Sequence, residues 1–441
     1  MHSALLKIQL MPARWWLPVM AAALAVALSF KLLIAHVAPG VNFYLVLMSL
    51  PFAFFITDKN SRSWRWGILS FIALAGYFFL KVQTLYFAGF CLFLLFVVEI
   101  NFGKISRIPV FLILLLSPFS YYVLNLVSFP LRLQLTALAG SIFKYIEPST
   151  VVEGNVISTK AFEFTVDPAC AGLNMIITSF ILGLALLAYH QQKQRVELPF
   201  LRFVIYLLCI AVLILLGNLQ RILSLVFFRS MPGTFSHEVI GLFCLGVMVL
   251  LPLYVLVPYI VRTRLKKVED SKPFKQGKGA FFLQGGLLVL MGFYAITGDK
   301  LNNAPEMLNP VEVNATGYEV SYSQNEILTL QQEDILIYLK PCRSFYSSTH
   351  SPAICWKGSG FAFTKERTFL IEGETIFMAE LTKGSTRLFT AWWYDNDSIK
   401  TTKQFEWRWK MLKGADPFHL VNISSTNEKI LLKEVRKWLR G

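Results

Sequence analysis

Charge is scarce in this chain, and negative charge most of all. Charged residues make up 16% of it, with 27 acidic side chains against 42 basic ones. The apolar content is unevenly placed, concentrated in residues 16 to 297, while residues 298 to 441 have the mixed composition of a soluble domain. A mainly soluble enzyme is excluded by that distribution, because 55% hydrophobic residues and a mean hydropathy of +0.53 describe a protein that lives mostly in a membrane. A glycine-rich phosphate loop, a Cys-x-x-Cys pair and a His-Glu-x-x-His helix are all missing. The sequence therefore gives no reason to expect a nucleotide, haem or zinc cofactor. Cysteine is sparse too, with six residues. Of these, Cys91, Cys209 and Cys244 fall inside apolar runs and read as packing residues, while Cys342 and Cys355 lie in a polar tail and are candidates to pair.

What is present is a succession of apolar runs at about 15–38, 42–57, 66–80, 84–100, 108–130, 172–189, 203–217, 237–259 and 280–297. They predict an α-helical polytopic membrane protein of about nine spans over residues 1–297, followed by a small α+β domain over 298–441. Runs three and four are joined only by Lys81-Val82-Gln83, so one long kinked helix is the alternative there. The net charge of +15 reads as topology and not as nucleic-acid binding, since most Lys and Arg sit in short connections. Lys7 and Arg14, then Lys59, Arg62 and Arg65, then Lys104 and Arg107 mark alternate connections as cytoplasmic. Run five then delivers the chain to the outer side, where residues 131–170 hold an amphipathic stretch (Leu131 to Ile146) and a hairpin-like alternation around Glu153-Gly154-Asn155. The basic cluster from Arg262 to Lys278 is again cytoplasmic, and run nine carries the tail outside. The expected location is the cytoplasmic (inner) membrane, with the tail periplasmic or otherwise extracytoplasmic.

The tail alternates at Tyr318 to Tyr322, Ile335 to Leu339, Phe361 to Phe363, Thr368 to Ile371, Thr375 to Leu381 and Leu388 to Tyr394, and closes on an amphipathic helix from Lys429 to Leu439. An antiparallel sheet follows. Trp392, Trp393, Trp407 and Trp409 are expected to fill its core or line a groove.

The outer loop ends at Asp167-Pro168-Ala169-Cys170-Ala171-Gly172. Asp167 reads as an N-cap and Pro168 as a first helical residue, which puts Cys170 in a first turn, where unpaired amides and the helix dipole favour thiolate. The same topology brings Arg221, at the outer end of run seven, and His237, which opens run eight behind an expected Ser236 N-cap, to the same side. Sulfur, imidazole and guanidinium are the complement for acyl transfer: a nucleophile, a proton carrier and an oxyanion holder. Each also has a plainer reading, as a packing thiol, a helix-end imidazole and a snorkelling arginine.

Taken together, Ala169-Cys170-Ala171-Gly172-Leu173 opening a helix, Asn218-Leu219-Gln220-Arg221-Ile222 at the end of a later one and His237 opening the next resemble the exosortases and archaeosortases, multi-pass membrane cysteine transpeptidases. The likeness covers roughly residues 100 to 260. It implies Cys170 as nucleophile, Arg221 as oxyanion stabiliser and His237 as acid and base, with Asn218 and Gly172 as supporting residues. It further implies secreted protein substrates whose C-terminal sorting signal combines a short motif, a transmembrane helix and a basic cluster, cleaved in the setting of membrane lipid and passed to a surface acceptor. Ala171 departs from the serine usual after the cysteine. More weakly, Ser351 to Phe361 resemble a segment of the extracytoplasmic domain associated with some exosortases. Closing Cys342 to Cys355 would stabilise that domain by about 3 kcal/mol; with His350 the same thiols make a poor zinc pattern. A transporter or flippase that holds an anionic lipid or glycan on Arg221, with a noncatalytic Cys170, is the alternative. The spans offer it little polar relay beyond Lys31, His36 and Glu99. A receptor acting through the tail alone is a third.

Overall fold

The computed structural model describes residues 13–36, 40–58, 61–80, 82–160, 162–166, 173–231, 233–262, 278–301, 317–322, 327–342 and 352–440. The chain is an α-helical polytopic membrane protein with a small β-rich C-terminal domain. Among the described residues, seven helices are long and apolar enough to cross a membrane, and two shorter apolar helices accompany them. In contact terms it forms two compact units, one made of residues 1–118, 180–208 and 252–303, the other of 119–179, 209–251 and 304–441.

The first unit holds α1 (Ala13–His36), α2 (Val41–Ala53), α3 (Arg65–Leu80), α4 (Gln83–Phe102) and α5 (Ile108–Leu116), with a small antiparallel pair, β1 (Ile56–Asp58) and β2 (Lys104–Ile105). At 1.5 Å per residue, α2 and α3 rise only about 20 and 24 Å, less than a hydrocarbon core of about 30 Å. α3 and α4 are two antiparallel helices and not one kinked helix. Ser70 Oγ donates to the Gly89 carbonyl at 2.7 Å, and the rings of Tyr77 and Tyr86 meet edge to face at 5.5 Å. At the other end of this hairpin the buried Glu99 carboxylate accepts from Arg65 Nη2 at 2.9 Å and Trp66 Nε1 at 3.0 Å. Glu99 is a structural acceptor for α3, which explains one of the few charges in the spans.

The fifth apolar run is divided differently from its sequence reading. Ser117 takes an extended conformation ahead of Pro118, as residues before proline do, and that ends α5. α6 (Pro118–Phe143) then passes straight through Pro130, so most of the amphipathic stretch expected outside from Leu131 belongs to this helix. A proline removes a single ladder bond, and a membrane helix tolerates the loss.

Beyond α6 come three short antiparallel strands, β3 (Val151–Glu153), β4 (Val156–Ser158) and β5 (Glu163–Thr165), one more than the expected pair. Ile157, Phe164 and Val166 point to one side and pack with Leu135, Ala139 and Phe143 of α6. Long helices follow: α7 (Leu173–Gln194), α8 (Phe200–Phe227), then α9 (Phe235–Cys244) continuing through a π segment, Leu245–Leu250, into α10 (Leu251–Arg262), and finally α11 (Lys278–Leu301).

The C-terminal domain is built on an antiparallel sheet. β6 (Glu319–Tyr322), β7 (Leu328–Gln332) and β8 (Ile335–Cys342) come first. α12 (Pro352–Gly358) separates them from β9 (Ala362–Ile371), β10 (Glu374–Lys383), β11 (Thr386–Asp395) and the short β12 (Lys400–Thr401), and α13 (Gln404–Leu412), β13 (Phe418–Ser425) and α14 (Glu428–Arg440) close the chain. The strand order is β6-β7-β8-β13-β11-β10-β9. Alternation along β11 sends Trp393 to the face covered by Leu431, Val435 and Leu439 of α14, and Trp392 and Tyr394 to the face covered by Trp407 of α13. Each such buried side chain contributes on the order of 1.5–3 kcal/mol. Trp409 is the exception, partly exposed and stacked on Phe405.

No disulfide joins Cys342 to Cys355, contrary to the pairing considered from sequence. Cys342 ends β8 inside the Trp392, Trp407 and Phe418 cluster, whereas Cys355 lies on the exposed side of α12. His350 lies outside the described residues.

Candidate functional site

α8 carries Asn218 and Arg221 one helical turn apart, both buried. The face that bears them is fixed by its neighbours on the helix. Ile222, Leu225 and Val226 enter the cluster formed by α6 and the three-stranded sheet, with Ile240 of α9 packed against it. Burying a guanidinium in a span is costly, so the position calls for a partner. His237 supplies one.

His237 sits in the first turn of α9. The N-cap is Thr234, whose hydroxyl accepts from the His237 amide at 3.4 Å, and not Ser236 as expected from sequence. Both hydroxyls occur where a cap is wanted. Ser236 instead shares a hydrogen bond with Ser230 at 2.7 Å, and the helix begins two residues earlier, at Phe235. With the start set, His237 faces α8, and Arg221 Nη2 lies 3.0 Å from His237 Nε2. A guanidinium only donates, so Nε2 accepts and the buried imidazole is neutral with its proton on Nδ1. The resting pair is thus guanidinium and neutral imidazole, a protonation state that the sequence left open.

Gly241 completes the arrangement and was missed in the sequence. It lies four residues after His237, on the same face of α9, and a Cβ there would stand 3.1 Å from Arg221 Nε and 3.2 Å from Cζ and Nη2. The guanidinium lies against a helix with no side chain at the contact point. A glycine one turn after a helix-opening histidine was the available signal.

Cys170 and Gly172, with the Asp167 cap and Pro168, fall outside the described residues. The described chain on either side of them is anchored beside the arginine and histidine. Val166 is fully buried in the cluster that contains Ile222 and Ile240. Met175, in the first turn of α7, reaches α8 at Gly217, where a Cβ would meet its Cε at 3.2 Å. Gly217 is four residues before Arg221, one turn away.

A bundle of apolar helices with a buried arginine and histidine joined at one end of it defines a polytopic membrane protein with a polar site at a span terminus. Residues 35–254 match the family described as transmembrane exosortase, and the chain belongs to that family. No curated protein and no solved structure matches it.

Proposed function

We propose that the protein is a membrane cysteine peptidase and transpeptidase that cleaves C-terminal sorting signals of secreted proteins at the outer face of the cytoplasmic membrane. Residues 298–441 form its extracytoplasmic domain. The observation that carries this reading is the 3.0 Å contact between Arg221 and His237, two of the three residues that the chemistry requires, held by separate helices in one buried place.

In the proposed sequence a substrate carbonyl oxygen competes for the guanidinium, which releases His237 Nε2 to take the proton of the Cys170 thiol. Sγ attacks the carbonyl carbon, and Arg221 donates to the resulting oxyanion. Collapse breaks the C–N bond, the amine leaves with the proton from His237, and a thioester remains. An acceptor nucleophile then attacks the thioester carbonyl, its proton passes to His237, and Cys170 departs as thiolate. Binding of a substrate that carries its own transmembrane helix suits a site placed at the end of a span.

The test is Cys170→Ala in the full chain. Processing of a secreted protein bearing the three-part signal should stop while membrane insertion persists, and acid quenching of the parent should trap that protein as a thioester on Cys170. Undiminished processing by the alanine variant overturns the proposal.

A further inference from the structure

We infer that Asn155 is a positioning residue through which the C-terminal domain sets the backbone leading to the reactive cysteine; the inference rests on the functional reading above.

The segment between residues 351 and 361, which the sequence singles out, forms α12 and the turn after it, and the C-terminal end of that helix abuts the β3–β4 turn. The Asn155 amide donates to the Gly358 carbonyl at 3.3 Å. This satisfies one of the carbonyls that a helix end leaves without an intrahelical donor. Gly154 beside it has φ +63°, and a Cβ there would stand 2.4 Å from the Gly358 oxygen and 2.6 Å from that of Lys357. Glycine is therefore required twice, for the left-handed turn and for the approach of the two backbones. Lys383 bridges the same seam, pairing with Glu153 at 3.0 Å and donating to the Ser359 carbonyl at 3.1 Å. The Phe129 ring of α6 packs under Gly358, and Arg408 of α13 stacks over the Tyr122 ring of α6.

On its other side Asn155 holds Val166 at both backbone groups. Its carbonyl accepts from the Val166 amide at 2.8 Å, and its side-chain Nδ2 donates to the Val166 carbonyl at 3.0 Å. Val166 is the last described residue before the segment that carries Cys170, four residues on in sequence, so its carbonyl is the backbone group nearest the cysteine that Asn155 holds. The sheet ladder does not need this side chain, because β4 and β5 pair through Val156–Thr165, Ile157–Phe164 and Ser158–Glu163. One residue thus connects the end of α12 to the last residue before the Asp167 segment. It is also the obvious place for the C-terminal domain to influence the reaction, since displacement of reacting groups by about 1 Å costs on the order of 100-fold in rate.

The experiment alkylates the full-length protein in lipid nanodiscs with iodoacetamide between pH 5 and 10, and follows the Cys170 peptide by mass spectrometry. Parent protein is expected to show a midpoint below the ordinary thiol value of about 8.5. Asn155→Ala should raise that midpoint or slow the plateau rate by about 10-fold or more, while apparent Tm falls by no more than about 4 °C, the cost of one hydrogen bond. Gly154→Val, which pushes the end of α12 away, should do the same through the main-chain link. Both variants matching the parent pH profile overturns the inference alone. Undiminished processing of the secreted substrate by Cys170→Ala overturns the functional reading and this inference with it.

Discussion

Gly241 leaves room for the Arg221 guanidinium against α9, because a Cβ at that position would lie 3.1 Å from Nε. The contact explains how an arginine and a histidine on neighbouring helix ends lie 3.0 Å apart without a bulky residue between them.

Enlarging Gly241 should therefore disarm the site without unfolding the bundle. Gly241→Ala requires the guanidinium to move by a few tenths of an ångström and should lower processing modestly. In Gly241→Val the added methyls should displace it further and cost about 10- to 100-fold. Quantifying cleaved substrate against the amount of membrane-inserted enzyme checks this, and a valine variant at parental activity contradicts it.

Arg221→Lys keeps the charge and loses the planar fork. One ammonium cannot reproduce the geometry that serves both His237 Nε2 and a developing oxyanion. Processing should fall about 100-fold, the usual effect of removing one oxyanion donor. Near-normal turnover of the lysine variant would show that charge alone suffices.

Glu99→Ala should loosen the α3–α4 hairpin. The partly buried indole N–H of Trp66 loses its acceptor while half-exposed Arg65 turns to water, for a cost of about 1–3 kcal/mol. Apparent Tm in detergent should fall by about 5 °C, and an unchanged melting curve would remove Glu99 from the account of this unit.

His419 on β13 predicts an acid-side loss of stability. Burial pushes its pKa below 6.5, against the opposing pull of Asp397 and Asp395. Between the folded and unfolded values the unfolded chain holds more protons, so stability from this group is intact above pH 6.5 and declines as pH falls, by at most about 1.4 kcal/mol per pH unit. Thermal melts followed by tryptophan fluorescence from pH 7.5 to 5.5 should show the decline, and His419→Gln should flatten it. Parallel curves for the two proteins would refute the assignment.

Some of this architecture is legible in the one-dimensional pattern and some is not. The aromatic and β-branched alternation identifies β10 and β11, yet gives no sign that β13, last in the chain, inserts between β8 and β11. Strand order depends on pairings more than 70 residues apart, such as Phe418 with Cys342. The segment from Thr234 to Ser236 offers two competent caps, and the structure uses Thr234, with both hydroxyls in one cluster with Ser230. That Cys342 is buried with Trp392, Trp407 and Phe418 while Cys355 is exposed is likewise decided by where the core lies.

The sequence by itself determined the helical polytopic membrane class and the reactive groups available, because apolar length against bilayer thickness and the reactivities of thiol, guanidinium and imidazole are local properties. Only the tertiary structure decided that His237 Nε2 accepts from Arg221, that Gly241 makes space for the guanidinium and that Asn155 joins the end of α12 to Val166. Those facts depend on directed contacts between segments distant in the chain, and a hydrogen bond has a geometry that residue order does not contain.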